Sequence, residues 1–336
     1  MSHVSNHLHI TSHRIGRGTL AAVTAAGLVL LAGCSGAASD KEEGQQTTVS
    51  NCGHQVTVDS PPERVMTMGA ESMNTLAHLG QLDRVVSRAG VYPGEYFDAQ
   101  TRGQIDQIPS LTDRLDASGH LQISAEEVLA QNPDLVIGAS ETVNYQTLNP
   151  RGVPVIDEPA YCGGIDGPTT WQNAWDQVDL YGQVFAAEDK AHEYISQLQQ
   201  RVEQVKKQAE GQGKTVAVVY PELGGGVLYA YGSRSMSNPM VEDAGLKNVF
   251  GSTDDRVFEV NPEEVVARNP DVIVALHTTG SAEDVVRDVS KRPGLGNVAA
   301  IKDKQVMPML LNFAEPATPL AVDGVEKIDA YLRDHR

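Results

Sequence analysis

The apolar positions of this chain cluster in short unbroken runs. Arg64-Val65-Met66-Thr67-Met68, Leu135-Val136-Ile137, Thr215 to Tyr220, and Val272-Ile273-Val274 are rich in β-branched residues and do not alternate. Such runs predict strands covered on both faces. Val85-Val86, Val153-Pro154-Val155-Ile156, Val227 to Tyr231 and Val306-Met307-Pro308-Met309 extend the set. Only Val56-Thr57-Val58 alternates, and Pro61-Pro62 stops it. Between the runs lie helix-spaced stretches. Ser72 to Leu79 ends at Gly80, the stretch from Asn238 ends at Gly245, and Val322 to Leu332 closes the chain. Gly after the last apolar position is a helix-stop signal. Strands alternating with helices predict parallel βα units.

One segment occurs twice. Glu126-Glu127-Val128-Leu129-Ala130-Gln131-Asn132-Pro133-Asp134-Leu135-Val136-Ile137 returns as Glu263-Glu264-Val265-Val266-Ala267-Arg268-Asn269-Pro270-Asp271-Val272-Ile273-Val274. The spacing is a domain length, not a solenoid period. Each copy reads as a short helix, an Asn-Pro-Asp break and a buried strand. Pro cannot continue the helix and drives the preceding Asn out of the α region. Two α/β lobes of similar plan follow, with a cleft between them. From about Trp175 to Ala209 the apolar spacing is helical over a length that reaches along both lobes, although Ala187-Glu188-Asp189 offers a break into two helices. The expected layout is a signal at 1–33, a tether at 34–49, a first lobe at 50–175, a connecting helix at 176–211 and a second lobe at 212–336. The fold class is α/β, two parallel-sheet lobes joined by a single long helix.

The N-terminus adds an address. Arg14 and Arg17 precede an apolar run, Thr19 to Leu31, too short to remain as a membrane span. Leu31-Ala32-Gly33-Cys34 resembles the bacterial lipobox, which implies cleavage before Cys34 and a lipid on its sulfur. The mature chain is then anchored to the extracytoplasmic face of the membrane. His3, His7, His9 and His13 fall inside the removed segment, so they predict no metal site. Ser35 to Thr48 is small, polar and charged, as a flexible tether is.

Charge excludes a class of partner. With 26 basic and 44 acidic residues the net charge is −18, so nucleic-acid binding is not expected. Once Cys34 is set aside, Cys52 and Cys162 remain as an even pair in an exported chain. A disulfide is the natural reading, worth on the order of 4 kcal/mol, with two buried thiols as the alternative.

Taken together, the lipobox, Cys-Gly-x-x-Val-Thr-Val and Pro-Pro-Glu-Arg-Val within Cys52–Val65, and the Glu-rich helix before Pro-Asp-Leu-Val-Ile resemble the solute-binding proteins of iron–siderophore, heme and vitamin B12 ABC importers. The resemblance spans about Ser50 to Arg336. It implies two α/β lobes bridged by one long helix, a ligand in the cleft, and a surface Glu on each lobe that pairs with arginines of a permease dimer. Those positions match Glu126 and Glu263, with Glu127 and Glu264 as alternates. Acids in the first turn of a helix also serve the helix dipole, so both readings stand at this point. A monomer with small lobe closure is expected.

Ligands of open parallel sheets sit beyond the carboxyl ends of the strands. That rule selects Glu71, Arg88, Tyr92, Tyr96, Glu141, Tyr145 and Tyr161 from the first lobe. From the second it selects Glu222, Tyr231, Arg234, Met236, His277, Phe313 and Glu315. Tyr rings suit the apolar shell of an iron(III)–siderophore complex and Arg suits its anionic oxygens. Tyr231 and Arg234 are the leading pair. Heme is the rival and needs an iron ligand, for which His120, His277, Tyr229 and Tyr231 are candidates; cobalamin is third. No resident cofactor is expected. An enzyme is not expected either: Gly-x-Ser-x-Gly, Ser-x-x-Lys, P-loop and His-Glu-x-x-His motifs are lacking. Gly294-x-Gly296-x-x-Ala299 follows Arg292-Pro293 rather than a strand. A sensor or structural lipoprotein of the cell surface is the reading from another class.

Overall fold

The computed structural model describes residues 46–116, 120–278 and 280–335. The signal, Cys34 and the tether before Gln46 lie outside the described residues. The first element is a hairpin of β1 (Thr47–Asn51) and β2 (His54–Val58). It begins inside the segment read as tether. Cys52 and Gly53 form its two-residue turn with φ of 51° and 75°, the positive pair that such hairpin turns require.

The first sheet holds β3 (Val65–Met68), β4 (Val85–Ala89), β5 (Leu135–Ile137) and β6 (Val155–Ile156), all parallel, in the order β4-β3-β5-β6. The second holds β7 (Thr215–Pro221), β8 (Leu228–Tyr231), β9 (Lys247–Asn248), β10 (Val257–Glu259), β11 (Val272–His277) and β12 (Val306–Leu310). Its spatial order is β10-β8-β7-β11-β12, with β9 also on β7. The pairs β7–β11, β11–β12 and β7–β9 are parallel, as expected. The β8 and β10 strands are antiparallel additions, so this sheet is mixed. Nothing in the apolar pattern separates the short half-buried run Val257–Glu259 from loop.

The repeated segment builds the same unit in both sheets. Its helices, Ala125–Leu129 and Pro262–Arg268, lead into β5 and β11. Those strands pair in parallel with β3 and β7 respectively. The break differs from expectation in one detail. Asn132 and Asn269 adopt left-handed φ of 49° and 44°, a conformation Asn tolerates better than other residues with a side chain. The Asp of each copy then pins the start of the partner strand. Asp134 accepts from the amides of Glu63 and Arg64 at 2.8 and 2.9 Å. Asp271 accepts from the amide and hydroxyl of Thr215, both at 2.8 Å.

The connection between the sheets is two helices, Trp171–Val184 and Glu188–Gln208, rather than one over 176–211. The chain breaks at Ala186, where φ is 49°. Glu188 and Asp189 occupy the first turn of the second helix, favoured by its dipole. This second helix packs against both halves. At its start Lys190 Nζ donates to Leu79 O at 3.0 Å. Near its middle Arg201 pairs with Asp323 and Glu326 of helix Leu320–Asp334. Its apolar stripe is buried in a core that runs from Val65 and Leu135 through Val178, Leu198 and Val202 to Val216 and Val274. A linker so packed is stiff, which favours small relative motion of the sheets. No helix among the described residues is long and apolar enough to cross a membrane.

Candidate functional site

Loops beyond the strand ends of the first sheet meet residues of the second. Glu71 follows β3 and accepts from Asn312 Nδ2 at 3.0 Å, across the junction. The Asn312 amide donates to the Tyr96 hydroxyl at 3.0 Å, and the Tyr96 ring packs edge-on to Phe313 at 4.9 Å. The segment after β6 also crosses. Thr169 donates through its amide to Ser233 O and through its hydroxyl to Arg234 O. Trp171 Nε1 donates to Asp243 Oδ2.

Tyr161 lies near these contacts, 45% exposed, with the Arg256 guanidinium of the second half 5.4 Å from its ring centroid. Burial among protein on its other sides, with Glu71 and Glu315 nearby, raises the Tyr161 hydroxyl well above its ordinary range. Arg256 is anchored at 3.0 Å on Glu315, whose carboxylate is 1% exposed. Glu315 also accepts from Ser235 Oγ and the Met236 amide. Burial raises the Glu315 carboxyl and the Arg256 charge opposes that rise. Tyr231 of β8 belongs to the same group, buried, its hydroxyl raised by desolvation and then by Glu315.

On the first-sheet side, Glu71, Asp157 and Glu158 are all raised, in each case chiefly by burial. Glu158 is pushed up to about 8, with repulsion from Glu71 and Asp157 as further causes. The segment that carries Asp157, Glu158 and Tyr161 is clamped from behind. Asn51 donates to Asp157 O and accepts from its amide, both at 2.9 Å. The Cys52–Cys162 disulfide then ties the hairpin turn to the residue after Tyr161, with Cα atoms 5.8 Å apart.

The expected site residues therefore divide. Glu71, Tyr96, Tyr161, Tyr231, Phe313 and Glu315 are brought together. Tyr92 lies beside them, but its hydroxyl is spent on Thr67, the Gly69 amide and Ala89 O, so it shapes the turn before Glu71. Arg88 donates to Ile108 O and stacks on Tyr92. Arg234 is paired elsewhere: its guanidinium meets Asp254 at 2.9 Å on the surface. Met236 is buried behind Glu315. His277 is buried at the end of β11. Tyr145 stacks on His54, Glu222 accepts from the Val227 amide, and Glu141 is exposed. His120 is exposed beside Asp116. Arg256, Asn312, Asp157 and Glu158 join the site without a signal in the sequence. Arg256 precedes β10, a strand with no apolar signature. Glu158 lies just past the apolar run Val153–Ile156 but carries no aromatic or cationic cue.

Glu126 and Glu263 lie elsewhere, exposed at equivalent positions of the two repeat helices. Their neighbours do the capping: Glu127 Oε2 accepts from the Ser124 amide and Glu264 Oε2 from the Asn261 amide. The capping role thus belongs to Glu127 and Glu264. Among the described residues Glu126 and Glu263 form no ion pair. A shallow hollow of about 440 Å³ beside Glu283, Val286, Arg287 and Pro308 contains none of the residues above. No group of three or more His, Cys, Asp or Glu side chains among the described residues is placed to hold a metal ion.

Two sheets are bridged by a packed helix, and polar and aromatic side chains from both halves meet between them. The chain belongs to the periplasmic binding protein family, whose model matches residues 65–309. It is a binding protein of that family and not an enzyme. A solved structure described as an ABC-type Fe3+-hydroxamate transport system, from Saccharomonospora viridis DSM 43017, is 44% identical with a TM-score of 0.81, covering 85% of this chain and 98% of that one. The uncharacterized ABC transporter substrate-binding lipoprotein YvrC of Bacillus subtilis (strain 168) is 22% identical over 318 residues, 89% of this chain and 92% of the relative. A cobalamin-binding protein of Halobacterium salinarum is 26% identical over 285 residues, 79% of this chain and 70% of the relative.

Proposed function

We propose that the protein is an extracytoplasmic solute-binding lipoprotein that captures a ferric siderophore and delivers it to an ABC importer. The observation that carries this reading is the meeting of Tyr161, from the first half, with Arg256 and Tyr231 of the second. Aromatic faces and one anchored guanidinium suit the apolar shell and polar oxygens of an iron chelate. The 44% identity to a chain of an Fe3+-hydroxamate system supports the siderophore over heme and cobalamin. The chain is anchored through lipid on Cys34, in keeping with the lipoprotein relative, and acts as a monomer. Glu126 and Glu263 dock on the two halves of a permease dimer. Their exposure and freedom from capping support that role.

The test is a titration of intrinsic fluorescence with ferric hydroxamates, ferric catecholates, ferric citrate, heme and cobalamin. Micromolar or tighter binding of a ferric siderophore is expected. A Soret shift with heme, or binding of cobalamin alone, with every siderophore ignored, would overturn the reading.

A further inference from the structure

Glu71, Tyr96 and Asn312 meet where the strand ends place a ligand. Glu71 lies just past β3 and Asn312 just past β12, and ligands of parallel sheets sit beyond such ends. Each side of the contact is set by its own half. Gly69 has φ 131°, and a side chain there would collide with the Glu71 carboxylate, so glycine is what lets that acid fold back over the turn. Asn74 Nδ2 donates to Tyr96 O at 2.9 Å and fixes the backbone of the tyrosine. In the second half, Asn312 Nδ2 donates to Glu315 O at 3.1 Å as well as to Glu71. The Glu315 amide returns to Leu311 O, and its carboxylate is held by Arg256, Ser235 and the Met236 amide. The turn from Leu311 to Glu315 is thus tied at both ends, and it joins Asn312 to the guanidinium beside Tyr161.

What crosses between the halves at this point is small. Asn312 gives its side chain to Glu71 and its amide to the Tyr96 hydroxyl, each at 3.0 Å, and Tyr96 packs edge-on to Phe313. Two such hydrogen bonds are weak enough to part and strong enough to bias a population. We propose that the contact of Asn312 with Glu71 and Tyr96 is an autoinhibitory latch: it holds the halves together at the ligand position and must part before a ligand enters. This inference rests on the reading that the ligand sits between the halves, and adds how entry is controlled. The packed helix allows the sheets little rotation, so the parting belongs to these side chains and their turn. Molecules with the latch closed bind nothing, and the apparent affinity falls with the fraction that is open.

The experiment is stopped-flow fluorescence of the mature protein with a linear ferric tris-hydroxamate, for the natural sequence, Tyr96→Phe, Asn312→Ala and the two together. Tyr96→Phe deletes one hydroxyl and keeps the ring on Phe313, so it decides alone if Asn312→Ala does not fold. Each single change should tighten binding about two- to five-fold and the pair about ten-fold. The gain should lie in the association rate, with dissociation unchanged, because opening precedes binding. Weaker binding would make these residues ordinary ligand contacts, and unchanged rates would make them ordinary packing; either overturns the latch and leaves the siderophore reading intact. If the hydroxamate binds no form while heme or cobalamin does, the siderophore reading falls, and the same rates measured with that ligand decide the latch.

Discussion

Replacing Arg256 by Gln leaves Glu315 buried without its cation. The carboxylate is 1% exposed and the guanidinium lies 3.0 Å away, itself 31% exposed. Removing one partner of a buried pair costs about 3–5 kcal/mol. Here Ser235 Oγ and the Met236 amide remain as donors and water reaches Arg256, so about 2–3 kcal/mol is expected. In a chain of this size that is a fall in Tm of about 4–8 °C. The loss should depend on pH, and its sign is fixed. The native Glu315 carboxyl is already raised, and losing Arg256 raises it further. A carboxyl raised on folding favours the native state most when protonated, below its unfolded value of about 4.3. That advantage fades as pH climbs through the native value. The deficit of Arg256→Gln should therefore be large at pH 8 and smaller at pH 5. Urea unfolding at the two pH values measures it. Arg256→Gln combined with Glu315→Gln should recover most of the loss, since no unpaired charge remains. A deficit equal at both pH values, or a double variant as unstable as the single, refutes the electrostatic account of this pair.

Three further outcomes are expected. Cys52→Ser with Cys162→Ser opens a link across 110 residues, which should lower stability by about 4–5 kcal/mol, read by urea unfolding, and weaken ligand binding because the Tyr161 segment loses its tie; unchanged stability sinks this. Glu126→Lys with Glu263→Lys should leave ligand affinity intact and reduce uptake severely, each single change having a lesser effect; normal uptake in a transport assay would show that these acids serve only their helices. Cys34→Ser should release the protein from the membrane fraction or leave it unprocessed, and unchanged fractionation would count against lipidation.

The regular part of the fold was legible because buried parallel strands leave an unmistakable apolar run and Asn-Pro-Asp leaves no choice but a break. Duplication made the second lobe readable from the first. The strand β8 is read from Val227–Tyr231 but not its antiparallel direction, and β10 is missed, because Val257–Glu259 is short and only half-buried, so tertiary pairing rather than local pattern sets it. The same holds for the site. Strand-end reasoning reaches Glu71, Tyr161, Tyr231 and Glu315, because parallel sheets fix where loops emerge. It favours Arg234 over Arg256, because Arg234 follows the strand read at Val227–Tyr231 and Arg256 precedes one with no apolar signature. The pairing of Arg234 with Asp254, and of Arg256 with Glu315, reverses that choice. Glu158 is invisible in the sequence as a buried acid, since its burial is a property of the folded interior.

The central claim is that the ligand sits between the two sheets, against Tyr161 and Arg256. A crystal structure of the protein with a gallium- or iron-loaded hydroxamate, its metal located by anomalous scattering, tests this most directly. The metal centre should lie between Glu71, Tyr161, Tyr231 and Arg256, with the lobes little changed in orientation. A chelate seated on the outer hollow beside Glu283 and Pro308, with the Asn312–Glu71 contact unchanged, would contradict it.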